Sequence, residues 1–231
     1  MLEAVVLAGG FGTRLRAVVP DLPKPMAPVA GRPFLEILLS MLAKKGVRRA
    51  VLSLGYRADL IVRHFGASYA GIELVSEIET EPLGTGGALR AALARCGSDA
   101  ALVVNGDTYL DLELDALAAR WQQKRVPLIV GRAVQDTARF GRLDVSGAAL
   151  LGFAARGAGG PGVINMGHYV LPTTLFADQP GLPKNFSFEA DFLAPRAGEL
   201  GFEVFVTEGL FIDIGVPEDY ARAQHELAPW A

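Results

Sequence analysis

Short apolar runs alternate with amphipathic stretches through the first half of the chain. "AVVLA" (4–8), "RRAVLSLG" (48–55), "IELVS" (72–76) and "AALVVNGD" (100–107) are rich in β-branched residues and read as strands. Between them, "PFLEILLSMLAKKG" (33–46) and "DLIVRHFG" (59–66) place apolar residues at helical intervals and stop at glycine. "GTGGALRAALARCG" (84–97) follows the same pattern behind a glycine-rich entry. This rhythm predicts an α/β fold, a doubly wound, mostly parallel (Rossmann-like) mixed sheet flanked by helices, with ligands at the strand C-termini.

After about residue 126 the pattern changes. "VPLIVGRAV", "FGRLDV", "ALLGFAA" and "GVINMGHYVL" predict strands joined by short turns, hence antiparallel hairpins added to the main sheet. "FSFEADFLAPRAGEL" is helix-like but contains Pro195, which should break or kink it. "FEVFVT" and "LFIDIG" read as strands, and "PEDYARAQHEL" as a closing helix with Pro217 in its first turn. No repeat, low-complexity tract or linker interrupts the 231 residues, so one domain with an inserted ligand-facing lobe is expected.

Composition narrows the functional classes. A chain that is 51% hydrophobic and 20% charged can build a sizeable core. Its net charge of −3 argues against a nucleic-acid polymer as partner. Cys96 is the only cysteine, which excludes an intramolecular disulfide and a cysteine zinc site; at a helix end it reads as a buried, inert thiol. "MLEAVVLAGG" is too short for a signal peptide or a membrane span, so a cytoplasmic protein without membrane contact is expected.

The candidate chemistry begins at "VVLAGGFGTRLRAVVPDLPKPMAP" (5–28). A strand breaks into glycines, and Arg14, Arg16 and Lys24 follow with only Asp21 to offset them. Bare backbone beside fixed positive charge suits a polyphosphate. Neither the Walker A ending nor the third glycine of the dinucleotide fingerprint is present. Pro23 and Pro25 brace Lys24 in an extended presentation, which an ordinary surface lysine rarely needs. Further on, Gly84, Gly86 and Gly87 of "EPLGTGGAL" (81–89) would let backbone approach a flat ligand, or simply open a helix. Asp107 of "VVNGD" and Asp213 of "LFIDIG" place carboxylates at strand ends, where a hard cation such as Mg²⁺, a cap or a turn would each account for them.

"LAGGFGTRL" followed by "PKPMAP" resembles the N-terminal signature of the sugar-phosphate nucleotidylyltransferases, in the order and spacing of Gly9, Gly10, Gly12, Thr13, Arg14, Pro23, Lys24 and Pro28. The resemblance runs from residue 3 to about 226. It implies a nucleotide-binding part over about 1–125 and a sugar-phosphate-binding part over about 126–231. It implies that Leu7, Ala8, Gly9, Gly10, Gly12, Thr13 and Arg14, with Glu81, Gly84, Thr85 and Gly86, hold the nucleotide. Arg14, Lys24 and Asp107 become the catalytic residues, and Asp107 and Asp213 the ligands of one Mg²⁺. For the sugar phosphate it implies Gly141 of "RFGRLDV", Asn165 of "NMGHY", Glu189 of "FSFE" and Arg156. Here the chain departs from the family, reading "GFAARG" with Ala155 and Arg156 where relatives show Glu-Lys.

Within the family, "LPKPMAPVAGRPFLE", "NGDT" and "FIDIGVPEDY" look most like the D-glycero-D-manno-heptose 1-phosphate guanylyltransferases. That implies GTP and a sugar 1-phosphate as substrates and a GDP-heptose product for capsule, S-layer or lipopolysaccharide assembly. Mannose 1-phosphate with GTP, another sugar 1-phosphate with UTP or dTTP, a glycosyltransferase and a non-catalytic nucleotide-sugar-binding subunit stay open as alternatives. The residue pattern does not specify an oligomeric state, a homodimer being one candidate. No left-handed β-helix repeats follow the closing helix, so no attached acetyltransferase domain is expected. His64 and His225 read as ordinary helix residues, and His168 as a candidate ligand contact beside the sugar pocket.

Overall fold

The apolar runs form strands whose side chains alternate between two buried cores. The computed structural model describes residues 2–230 apart from 11, 13, 14, 16, 17, 140, 155, 156 and 158, so Thr13, Arg14, Ala155 and Arg156 lie outside the described residues. β1 (Glu3–Ala8) leads through a 3-10 turn at Lys24–Met26 and a small hairpin, β2 (Pro28–Val29) and β3 (Arg32–Pro33), into α1 (Phe34–Lys44). Next come β4 (Arg49–Leu54), α2 (Ala58–Phe65), β5 (Ser68–Tyr69), β6 (Ile72–Ile78), α3 (Gly84–Leu93), β7 (Ala100–Asn105) and β8 (Thr108–Leu110). α4 (Leu114–Lys124) precedes β9 (Leu128–Val134), β10 (Arg142–Ser146), β11 (Ala149–Phe153) and the long β12 (Gly162–Pro172). A π-helical turn at Phe188–Leu193 runs into α5 (Ala194–Arg196), followed by β13 (Glu203–Val206), β14 (Phe211–Asp213) and α6 (Pro217–Glu226).

Among the described residues ten strands share one sheet in the order β10-β11-β13-β9-β12-β7-β1-β4-β6-β5. The β7-β1-β4-β6 quartet is parallel, as the strand–helix rhythm predicts. Along β1, Val5 enters one core while Ala4, Val6 and Ala8 enter the other. Such two-sided burial is what a central strand of a helix-covered sheet requires. α1, α2, α4 and α6 cover one face. On the other face α3 packs with an aromatic cluster, in which Phe176 lies 5.0 Å from Phe192 and 5.7 Å from Phe186. Leu38 of α1 is wholly buried, and its truncation to alanine would cost about 2–5 kcal/mol through lost contact and a residual cavity.

The second half departs from simple hairpins. β10 and β11 do form one, and β12 is antiparallel to both β7 and β9. β13, however, inserts between β11 and β9 and runs parallel to β9. The expected lobe is thus a continuation of the main sheet. Around Pro195 the π-helical turn gives way to α5, which ends one residue later at Arg196, the expected break. Pro195 lacks the N–H that would reach the Asp191 carbonyl, and the Arg196 guanidinium Nη1 donates to that oxygen instead at 3.0 Å. β14 leaves the sheet and pairs with β8, setting Asp213 opposite Thr108.

Candidate active site

Four parallel strands end on one edge of the sheet. From β1 the chain winds one way to β4 and β6, whereas β7 lies on the other side of β1, so the crevice between β1 and β7 opens at a topological switch point. Glycines line it because backbone meets backbone there. A Cβ on Gly9 would lie 2.6 Å from Glu79 Oε1, and one on Gly55 only 2.7 Å from the Gly9 carbonyl. The Gly106 N–H donates to the Leu7 carbonyl at 2.8 Å. Gly10 faces open space, and Gly12 adopts φ +59° with its α-carbon packed toward the Lys24 side chain.

Two adjoining hollows result. A cleft of about 480 Å³ is bordered by Leu7, Gly9, Gly10, Glu81, Gly84, Thr85 and Asp107, all expected from the sequence. A smaller one of about 190 Å³ is bordered by Ala8, Gly12, Lys24, Asp107 and Gly215. Tyr56, Glu79 and Asn105 also line the larger cleft and carried no sequence signal: each is a common residue just past, or at the end of, a strand. Gly86 differs from the expectation. It is buried, its N–H donates to the Phe186 carbonyl at 2.8 Å, and a Cβ would run into the Phe186 ring. Gly87 is likewise covered by the Lys184 carbonyl. Bare backbone at 86 and 87 therefore admits the 184–186 segment rather than a ligand. Glu81 is exposed and ion-paired with Lys184.

At the foot of the crevice, charge converges. The Lys24 side chain is only 9% exposed; its ammonium is ion-paired with Asp107 and lies 3.6 Å from Asp213 Oδ1. Pro23 at φ −64°, ψ 143° and Pro25 flank the lysine as the Pro-Lys-Pro spacing predicts, but Lys24 opens a 3-10 turn rather than adopting the extended backbone expected before a proline. The β8–β14 ribbon is what brings Asp213 to the site, and the Gly215 N–H fixes its Oδ1 at 2.7 Å. Two carboxylates already facing one cationic group fit a magnesium ion, which takes one or two carboxylates and fills its octahedron with water and phosphate oxygens. Among the described residues no cluster of three or more acidic, histidine or cysteine side chains forms a full protein cage for a metal.

Of the expected sugar-binding residues, Gly141, Asn165 and Glu189 meet along β12, while Arg156 lies outside the described residues. Asn165 Nδ2 donates to Glu189 Oε1 at 2.7 Å and to the Tyr169 hydroxyl at 2.9 Å, and that hydroxyl donates to Glu189 Oε1 at 2.6 Å. Asn165 Oδ1 accepts from the Gly167 N–H at 2.9 Å, and the Gly141 carbonyl accepts from the Asn165 N–H at 2.9 Å. Tyr169 was not singled out, although it closes the same "NMGHY" motif; burial and the neighbouring Glu189 carboxylate hold its pKa well above the ordinary phenol value. Gly167 (φ +68°) is bare where the Asn105 amide presses against it, joining this network to the nucleotide cleft.

His168 corrects an expectation. It is wholly buried and pairs with Val104 across the sheet. Its Nδ1–H donates to the Met166 carbonyl at 2.9 Å, and burial lowers its pKa from 6.5 to about 4. His64 bonds Glu36 at 2.7 Å on a helix surface. Cys96 is half-buried rather than buried, and desolvation pushes its thiol to about 11, which leaves it inert. Among the described residues no helix is long and apolar enough to cross a membrane.

Residues 3–229 match the family described as nucleotidyl transferase. The chain is 37% identical over 227 residues to a D-glycero-alpha-D-manno-heptose 1-phosphate guanylyltransferase of Aneurinibacillus thermoaerophilus, covering 98% of each sequence. Among solved structures it is similar to HddC from Yersinia pseudotuberculosis, with a TM-score of 0.88, 39% identity and coverage of 98% of this chain and 100% of that one. The same protein complexed with GMP-PN gives a TM-score of 0.87 at the same identity and coverage.

Proposed function

This chain belongs to the nucleotidyl transferase family, and on that premise we propose that it transfers GMP from GTP to D-glycero-α-D-manno-heptose 1-phosphate, releasing pyrophosphate and forming GDP-heptose. One observation carries the chemistry: the ammonium of Lys24 stands between Asp107 and Asp213 at the foot of a glycine-lined crevice. Near-full-length likeness to a guanylyltransferase of that heptose phosphate supports the choice of substrates.

The reaction needs positioning and charge more than proton transfer. A phosphate oxygen of the sugar 1-phosphate attacks the α-phosphorus as pyrophosphate leaves in line. That oxygen is already ionised near neutral pH, so no general base is required. The backbone at 9, 10 and 12, with Thr13 and Arg14, holds the β- and γ-phosphates. Lys24 neutralises charge that grows around the α-phosphate. Asp107 and Asp213 would hold Mg²⁺, which when bound supplies charge neutralisation on the phosphates. Asn165 and Glu189 accept hydrogen bonds from the sugar, Gly141 contributes backbone, and Arg156 clamps its phosphate with a planar, bidentate head where a lysine would offer a point charge. The product feeds capsule, S-layer or lipopolysaccharide assembly in the cytoplasm.

Pyrophosphate release tests this directly, crossing GTP, ATP, UTP, CTP and dTTP with heptose, mannose and glucose 1-phosphates in the presence of Mg²⁺. Turnover concentrated on GTP with the heptose 1-phosphate is expected. A different productive pair overturns the substrates, and silence of the folded protein across the grid overturns the catalytic reading.

A further inference from the structure

Residues 182–187 belong to no helix or strand, so their backbone groups need partners from elsewhere in the fold. α3 and the residues that lead into it supply them. The Phe186 N–H donates to the Leu83 carbonyl at 3.1 Å, and the Gly86 N–H donates to the Phe186 carbonyl at 2.8 Å. Asn185 Nδ2 donates to the Pro82 carbonyl at 2.8 Å, and Lys184 is ion-paired with Glu81. The Phe188 N–H, at the start of the π-helical turn, donates to Thr85 Oγ1 at 2.9 Å. One further side chain of α3 joins in. Arg90 Nη2 donates to the Pro183 carbonyl at 3.0 Å and to the Lys184 carbonyl at 3.4 Å, while Nη1 reaches the Leu182 carbonyl at 3.5 Å. Its guanidinium also stands over the Phe186 ring, 5.3 Å from the centroid. A rigid planar fork can hold successive carbonyls and stack on a ring at once, which a lysine ammonium cannot.

The segment held in this way ends at the sugar side of the crevice. Glu189 follows Phe188 directly, and its Oε1 accepts from Asn165 Nδ2 at 2.7 Å and from the Tyr169 hydroxyl at 2.6 Å. Glu189 itself is exposed, so its place is inherited from the buried neighbour before it. Phe188 is tied to Thr85 through its N–H, and its ring meets Tyr169 edge-on with centroids 5.1 Å apart. Arg90 lies further along α3 than Gly84, Thr85 and Ala88, the residues of that helix that border the large cleft. We propose that Arg90 is a positioning residue of the sugar 1-phosphate site. It clamps 182–184 against α3, and through that clamp it sets Glu189 opposite Asn165 and Tyr169, ready for the sugar hydroxyls. This deepens the reading of Asn165 and Glu189 given above and rests on it.

The test follows pyrophosphate release by the wild type, Arg90→Met, Arg90→Lys, Glu189→Gln and the double variant Arg90→Met/Glu189→Gln. GTP and the sugar 1-phosphate that the wild type uses are varied in turn. Arg90→Met keeps an apolar stem near Phe186 and removes the donors. Its KM for the sugar phosphate is expected to rise on the order of 10-fold, with KM for GTP and kcat within about twofold of the wild type. Arg90→Lys, which can hold one carbonyl at a time, is expected to fall between the two and carries the test should methionine lower the melting temperature. Because the arginine acts through Glu189, the double variant is expected to show no larger a rise than Glu189→Gln alone. An unchanged KM for the sugar phosphate in both Arg90 variants overturns the assignment. Single effects that multiply in the double variant also overturn it, as does a matched rise in both KM values with a fall in melting temperature, which would make Arg90 a general support of the fold. In each of these cases the sugar site itself stands. A Glu189→Gln variant with the KM of the wild type, or a folded wild type silent with every sugar 1-phosphate, overturns the sugar-site reading and the assignment with it.

Discussion

The two ends of the crevice are built from different materials. At the nucleotide end, three glycines, strand termini and one braced lysine do most of the work, with side chains withdrawn so that backbone can approach. Along β12 the reverse holds: Asn165, Tyr169 and Glu189 are joined side chain to side chain by bonds of 2.6–2.9 Å. Backbone is common to every sequence that can fold this way, so the first end suits a feature shared by all nucleoside triphosphates. A side-chain network can be retuned one residue at a time, which suits the part of the substrate that differs among relatives.

That contrast can be attacked at each end. The largest effect is expected from Lys24→Met, which removes the fixed charge without emptying the space. The rate constant kcat should fall on the order of 10²- to 10³-fold with KM for GTP little changed, as for other donors that act in the transition state. A rise confined to KM in steady-state assays would instead place the lysine in ground-state binding. Tyr169→Phe is a smaller blow to the other end. It strips a donor from Glu189 and an acceptor from Asn165, and a roughly 10-fold rise in KM for the sugar phosphate is expected with KM for GTP unmoved. Equal loss on both substrates would show that the ends are mechanically one unit, with Asn105 against Gly167 as the joint.

A third effect lies beneath both ends and concerns stability rather than turnover. His168 has a folded pKa of about 4 against 6.5 in an unfolded chain. Between those values the unfolded state holds the proton and the native state does not, so stability rises with pH across that window. Full stability is present above about 6.5, and roughly 3 kcal/mol of it is lost as the pH falls through 4. Urea unfolding at pH 7 and 4.5 should therefore show a drop that His168→Asn flattens. An unflattened drop would move its cause to the carboxylates.

Much of this molecule could be read before any coordinates. β1, β4 and β7 announce themselves because a strand buried on both faces must be apolar at nearly every position, and local composition suffices to show it. Pro23-Lys24-Pro25 is similarly legible, since two fixed φ angles limit what the segment can do. Gly86 and Gly87 were misread for an instructive reason. A glycine reports that something approaches closely, but not what, and here the visitor is the chain itself at 184–186. The parallel placement of β13 beside β9 escaped notice because strand pairing over long separations leaves no local mark.

What the sequence determined alone is therefore local and additive: which runs are strands and helices, which glycines open the backbone, which charges stand beside them. The tertiary structure decided which distant residues share a site. Asp107 and Asp213 are 106 positions apart, the difference of their numbers, and meet only because β14 leaves the sheet to pair with β8. Glu77, Glu79 and Glu81 are chemically identical in the sequence, and only the fold sets Glu77 against Arg95, Glu81 against Lys184 and Glu79 on the wall of the cleft. Residue chemistry is written in the chain, but which groups a side chain meets depends on loop closures and strand pairings whose energies are summed over the whole domain.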